Sequence, residues 1–152
     1  MKKDIQETKK KILESLKGYK EIVINKRFGG FELSHQAVMR YAELKGIKLY
    51  PKKENLFTSY YKVPPEQYEK FSKKWFEEDG NHKRINAKNW YFSDGDIERD
   101  DETLVKVVKE LGTKADGSHA ELKIIKIPLD VDWEIEEYDG NESIHEKHRS
   151  WN

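Results

Sequence analysis

The chain has 152 residues, no cysteine, and 29 basic side chains balanced by 29 acidic ones. Disulfides, thiolate metal sites and cysteine nucleophiles are thereby excluded, and a molecule with no net charge exerts no long-range pull on nucleic acid or membranes. Charged residues make up 38% of the chain and hydrophobic ones 36%, a balance open to disorder, but 12% aromatics and apolar residues at helical spacing favour one folded domain over residues 1–152.

The charge is unevenly placed. Residues 1–20 carry seven lysines against three acids, whereas residues 98–152 carry eight basic residues against fifteen acids. That asymmetry favours head-to-tail contact within the chain or between subunits over a DNA-binding face. No apolar run approaches the ~20 residues of a transmembrane helix, and the basic N-terminus lacks the apolar core of a secretion signal. A cytoplasmic protein is expected.

In chain order, residues 3–17 predict an amphipathic helix with Ile5, Ile12, Leu13 and Leu16 as a narrow stripe, ended by Gly18. Such a helix either lies on the sheet or serves as an arm, residues 1–18, that packs on a second subunit. Residues 20–25 form a strand. Ser34 is a good N-cap for a helix running to about Lys45, with Ala37, Val38, Tyr41 and Ala42 inward and Gly46 as its stop. Residues 47–50 are a short strand candidate, and residues 51–64 read as irregular.

Pro65 sits near the first position of a helix carrying Tyr68, Phe71, Trp75 and Phe76 and closed by Gly80. Residues 89–93 form a strand candidate. Asp100 or Asp101 caps a helix with Leu104, Val107, Val108 and Leu111 on one face and Gly112 as its stop. Asp116-Gly117 is a turn, residues 122–127 a strand ended by Pro128, and residues 132–136 a half-buried strand of period two. Residues 138–141 turn the chain into a short C-terminal helix holding His145 and His148. Strands mixed irregularly with helices give an α+β class, with a mixed or antiparallel sheet and packed helices.

The stretch Lys26-Arg27-Phe28-Gly29-Gly30-Phe31-Glu32-Leu33-Ser34 between a strand and a helix is the most suggestive of chemistry. Glycines admit close approach to backbone amides, and the helix start adds partial positive charge. Arg27 can fork two phosphate oxygens, while Phe28 and Phe31 can stack on a base. The glycine spacing is neither a Walker A loop nor a dinucleotide fingerprint, and a tight strand-to-helix connection with two core phenylalanines explains the same residues. Arg99, just before a helix start, either binds phosphate or pairs with the acids of residues 130–142. Those acids number seven without a base, and form a solvated face, a divalent-cation cluster or a surface for a neighbour's basic helix. The aromatic middle, Tyr91 included, divides between core and a stacking surface.

Two blocks carry a likeness. One is residues 22–31 with Leu33-Ser34; the other runs from Asp96-Ile97-Glu98-Arg99-Asp100-Asp101 through Leu104-Val105, Glu110-Leu111-Gly112, Lys114-Ala115, residues 122–127, residues 133–140 and residues 146–151. Together, over about half the chain, they resemble a family of small phage and prophage proteins, with residues 49–90 as an elaborated region. Small proteins of this phage class include the Thoeris anti-defence sponges, which bind cyclic ADP-ribose signals, in some cases also CBASS cyclic oligonucleotides, and oligomerise.

The resemblance implies a non-catalytic binding protein and a homo-oligomer. It would hold a cyclic nucleotide through Arg27, Phe28, Gly29, Gly30, Phe31, Ser34, Tyr91 and Arg99, with no cofactor, metal, membrane or DNA partner. Two other classes stay open. One is a metal-assisted phosphoesterase using Asp100, Asp101, Glu134, Glu136, Asp139 or His148. The other is an inhibitor that docks its acidic 130–142 surface on a host protein.

Overall fold

The structure, a computed structural model, describes residues 2–67, 70 and 90–147. Its elements are α1 (Lys2–Lys17), β1 (Tyr19–Asn25), α2 (His35–Lys45), β2 (Tyr50–Glu54), β3 (Phe57–Tyr61), β4 (Tyr91–Phe92), α3 (Glu102–Leu111), β5 (Leu122–Pro128), β6 (Trp133–Tyr138) and β7 (Asn141–Glu146). The class is α+β, and the strands pair antiparallel in three small sheets, β1–β5, β2–β3–β4 and β6–β7.

β1 is the organising strand. Its continuous apolar run Ile22-Val23-Ile24 is buried throughout, as expected of a strand covered on both faces. Val23 joins the cluster built by Ala37, Val38 and Tyr41 of α2 with Leu104, Val107 and Val108 of α3. Side chains alternate across a strand, so Ile22 and Ile24 point to the other side.

One edge of β1 pairs with β5. On the other edge, the Val23 amide donates to the Arg99 carbonyl at 2.8 Å and the Asn25 amide donates to Glu142 Oε1 at 2.7 Å. Buried amides need partners, and here a loop carbonyl and a side chain replace a neighbouring strand.

The helix ends follow their sequence signals. Ser34 caps α2 by accepting from the Ala37 amide, and Gly46 closes it in a left-handed conformation. Of the two aspartates before α3, Asp101 is the cap: its Oδ1 accepts from the Thr103 and Leu104 amides. Its Oδ2 takes a hydrogen bond from the Tyr41 hydroxyl at 2.8 Å and an ion pair from Lys45, so one carboxylate ties α3 to α2.

Burial alone would raise the pKa of Asp101, but the bonds from Tyr41, the Leu104 amide, Lys45 and the Thr103 amide together hold it below the ordinary 3.8. Burial first, then Asp101, pushes the Tyr41 phenol up. Asp101→Ala should therefore cost about 2 kcal/mol in urea unfolding at neutral pH. A carboxylate with a lowered folded-state pKa stabilises above its unfolded value and loses that contribution as pH falls through the folded one. The gap between wild type and Asp101→Ala should thus narrow on acidification below 3.8.

Three sequence expectations are corrected. Residues 51–64 are not irregular, because β2 and β3 form a hairpin in which Pro51 faces Tyr60 and Asn55 turns at φ 45°. Proline is tolerated there since β2 is an edge strand. The short strand expected at residues 47–50 is absent before Tyr50, where β2 begins; the Ile47 amide instead donates to the Ala42 carbonyl and closes α2. The expected C-terminal helix does not contain His145, which lies in β7 opposite Glu134.

The reason for the last correction is the turn. Asp139 and Gly140 both have positive φ, 49° and 88°, which is the two-residue geometry that sends a strand back on itself. Of the strand candidate of residues 89–93, Tyr91–Phe92 form β4, and Asn89 lies outside the described residues. The aromatic helix after Pro65 is described only at its start, 65–67 and 70. Its Tyr68, Phe71, Trp75, Phe76 and Gly80 lie outside the described residues, as do His148 and Trp151.

Candidate functional site

The residues singled out from the sequence fall in three places. The first is the tip of the β1–α2 loop. Asn25 is fully buried and holds the loop in shape: its Nδ2 donates to the carbonyls of Arg27 and Gly140, and its Oδ1 accepts from the Glu121 amide. Gly29 donates its amide to the Asp139 carbonyl at 3.1 Å. A Cβ on Gly140 would collide with the Gly30 nitrogen, so the loop and the β6–β7 turn touch backbone to backbone.

The glycines thus serve a close internal approach, and the Gly29 amide is already committed rather than turned towards a phosphate. Arg27 and Phe28 stand exposed on this tip, with Phe28 edge-on to Tyr138 at 6.5 Å.

The second place is the outer edge of β1, where Arg99 and Phe31 meet. Arg99 Nη1 and Nη2 fork Glu142 Oε1 and Oε2 at 2.6 and 2.9 Å. The guanidinium carbon lies over Phe31, 3.5 Å from the ring centre. Glu142 is only 5% exposed. The planar fork matches a carboxylate and leaves an aromatic face for stacking. Of the two sequence readings of Arg99, pairing with the acids of residues 130–142 is the observed geometry, and Phe31 packs beneath the pair.

The third place gathers Ser34 and Tyr91 with Tyr60 and Phe92 of the aromatic middle, and with His35 and Asp94, which sequence reasoning did not single out. A groove of about 550 Å³ runs between α2's N-terminus and the β3–β4 strands, lined among others by Glu32, His35, Tyr60, Phe92 and Asp94. His35 and Tyr60 stack at 5.7 Å and share a 2.9 Å hydrogen bond between Nδ1 and the phenol oxygen. Asp94 is held by the Leu33 amide donating to its Oδ2. Burial, then Asp94 and Glu32, raise the Tyr60 phenol, so it stays a neutral donor and acceptor at physiological pH.

The signal for Tyr60 was the aromatic run Phe57-Thr58-Ser59-Tyr60-Tyr61; that for His35 was its place beside the Ser34 cap. The groove and the Arg27 tip are neighbours. Gly117 and Ser118 line the groove, while His119 lies against Gly29.

This arrangement offers flat rings for a planar ligand and carboxylates that accept from hydroxyl or amino groups. A second cavity, about 560 Å³ between β1 and α3, is lined by Lys20, Glu21, Asp100 and Lys109. Those four already pair with one another. Among the described residues no three His, Asp or Glu side chains gather as a cation site. Asp100 pairs with Lys20, Asp101 caps α3, Glu136 pairs with His145, and Asp139 forms a turn.

The fold and this groove define a small α+β protein with an aromatic, carboxylate-edged cleft beside a helix start. No protein-family model, curated protein or solved structure matches the chain.

Proposed function

We propose that this protein is a phage-encoded anti-defence protein that binds a cyclic nucleotide immune signal, a cyclic ADP-ribose isomer or a CBASS cyclic oligonucleotide, and sequesters it uncleaved in the host cytoplasm. The likeness of the two sequence blocks to small phage proteins supplies the biological setting. The observation that carries the reading is the groove, with its stacked His35–Tyr60 pair beside the carboxylates of Asp94 and Glu32. A base would stack on the aromatic wall, a contact worth about 1–3 kcal/mol. Ribose hydroxyls or an exocyclic amine would donate to the carboxylates, and Arg27 on the adjoining tip would meet a phosphate.

The binding face is the groove rather than the glycine loop. Ser34 and Tyr91 stay in it, and Arg27 stands at its side. Arg99 and the Gly29 amide drop out, because both are already engaged.

Protein incubated with TIR-product and CBASS nucleotides should retain one of them and release it intact on heating, read by mass spectrometry. Tyr60→Ala should weaken binding roughly tenfold to a hundredfold by calorimetry, the equivalent of one lost stacking contact. Arg27→Ala should weaken it less and mainly at low salt. A cleaved product would move the protein to the phosphoesterase class, and no retained nucleotide would end the proposal.

A further inference from the structure

α1 is a basic amphipathic helix without a broad contact to any other described element. It carries six lysines against Asp4, Glu7 and Glu14. Ile5 and Ile12 are 58% and 53% exposed. Lys9 lies on the same face, because residues four and seven apart share a side of a helix.

The β6–β7 hairpin has the opposite character. From Asp130 to Glu146 it holds eight acids and no Lys or Arg. Asp130, Asp132, Glu136, Glu137 and Asp139 are exposed. Apolar side chains stand at both ends of it, Leu129 at 54% and Tyr138 at 79% exposure.

We infer that α1 of one copy of this chain docks on the β6–β7 hairpin of a second copy, with Lys9 over the acids and the Ile5–Ile12 edge beside Tyr138. Lengths agree: 16 residues of helix span about 24 Å, and a six-residue hairpin about 20 Å.

A second copy fits better than the chain's own hairpin. A single residue, Gly18, links α1 to β1, and the Leu129 amide pins its carbonyl, so little chain is left to fold α1 back. Each copy offers one helix and one hairpin, so reciprocal exchange closes a two-fold dimer. The inference stands apart from the nucleotide reading, since it is read by mass and needs no ligand.

The test is sedimentation velocity with far-ultraviolet circular dichroism to confirm folding. In low salt the wild type should sediment at twice 18.1 kDa, and high salt should dissociate it. Lys9→Glu and Asp132→Lys/Glu136→Lys should each sediment as monomers, and their equimolar mixture should regain the dimer because each reversed surface then meets its complement. A wild type at 18.1 kDa, reversed variants that stay dimeric, or a mixture that stays monomeric would each overturn the inference. So would a monomer that binds anionic vesicles or nucleic acid through α1.

Discussion

Glu142→Ala should cost about 3–5 kcal/mol, the range seen when one member of a buried ion pair is removed. Domain stabilities run about 5–15 kcal/mol, so this is a large share of the total. Three contacts disappear together: the fork from Arg99 at 2.6 and 2.9 Å and the bond from the Asn25 amide at 2.7 Å. What remains is a guanidinium with its side chain 20% exposed, and a buried amide on the outer edge of β1.

The penalty lies in the stranded groups more than in the lost pair. Arg99→Met combined with Glu142→Leu should therefore be less destabilised than Glu142→Ala alone, a coupling that a double-mutant cycle by urea unfolding would resolve. A loss under about 1 kcal/mol for Glu142→Ala would be in the range of exposed pairs. Arg99 would then be solvated and would return as a candidate phosphate ligand.

That pair also marks the limit of what spacing can reveal. Ser34, Gly46, Asp101 and Gly112 delimit their helices because capping is local: each acts within about one turn of its own position. The same holds for the buried run of β1 and for β5 ending at Pro128. Arg99 and Glu142 lie 43 residues apart, His35 and Tyr60 lie 25 apart, and the Gly140 carbonyl reaches Asn25 across 115. Nothing periodic connects such partners. The loop therefore looked like an open phosphate seat, when much of its polar capacity is spent on the β6–β7 turn.

Local disguise explains the other misreadings. Pro51, Lys52 and Lys53 hide an edge strand, because an edge tolerates proline and favours charge. In β7 the segment Ser143-Ile144-His145 offers one aliphatic side chain, and the spacing of His145 and His148 mimics a helix face. The Asp139-Gly140 pair was the stronger signal, since positive φ at both positions commits the chain to a hairpin.

Gly140→Ala is the sharper probe of that loop and should cost about 3 kcal/mol or more, combining backbone strain with lost hydrogen bonds. Gly46→Ala is the control. Gly46 has φ 71° with nothing within 4 Å of an added Cβ, so only the left-handed conformation is penalised, by about 1 kcal/mol. Gly140 has φ 88°, and its added Cβ would meet backbone, colliding with the Gly30 nitrogen and lying 2.7 Å from the Gly29 nitrogen and 2.8 Å from the Gly29 carbonyl carbon.

Backbone cannot swing aside as a side chain does. The turn and the loop must separate, and with them the bonds from Gly29 to Asp139 and from Asn25 to Gly140. The excess of Gly140→Ala over Gly46→Ala in urea unfolding therefore measures how firmly the loop is stapled. If the two variants cost the same, the loop is held loosely, its amides can turn outward to a ligand, and the phosphate seat between β1 and α2 regains its claim over the groove.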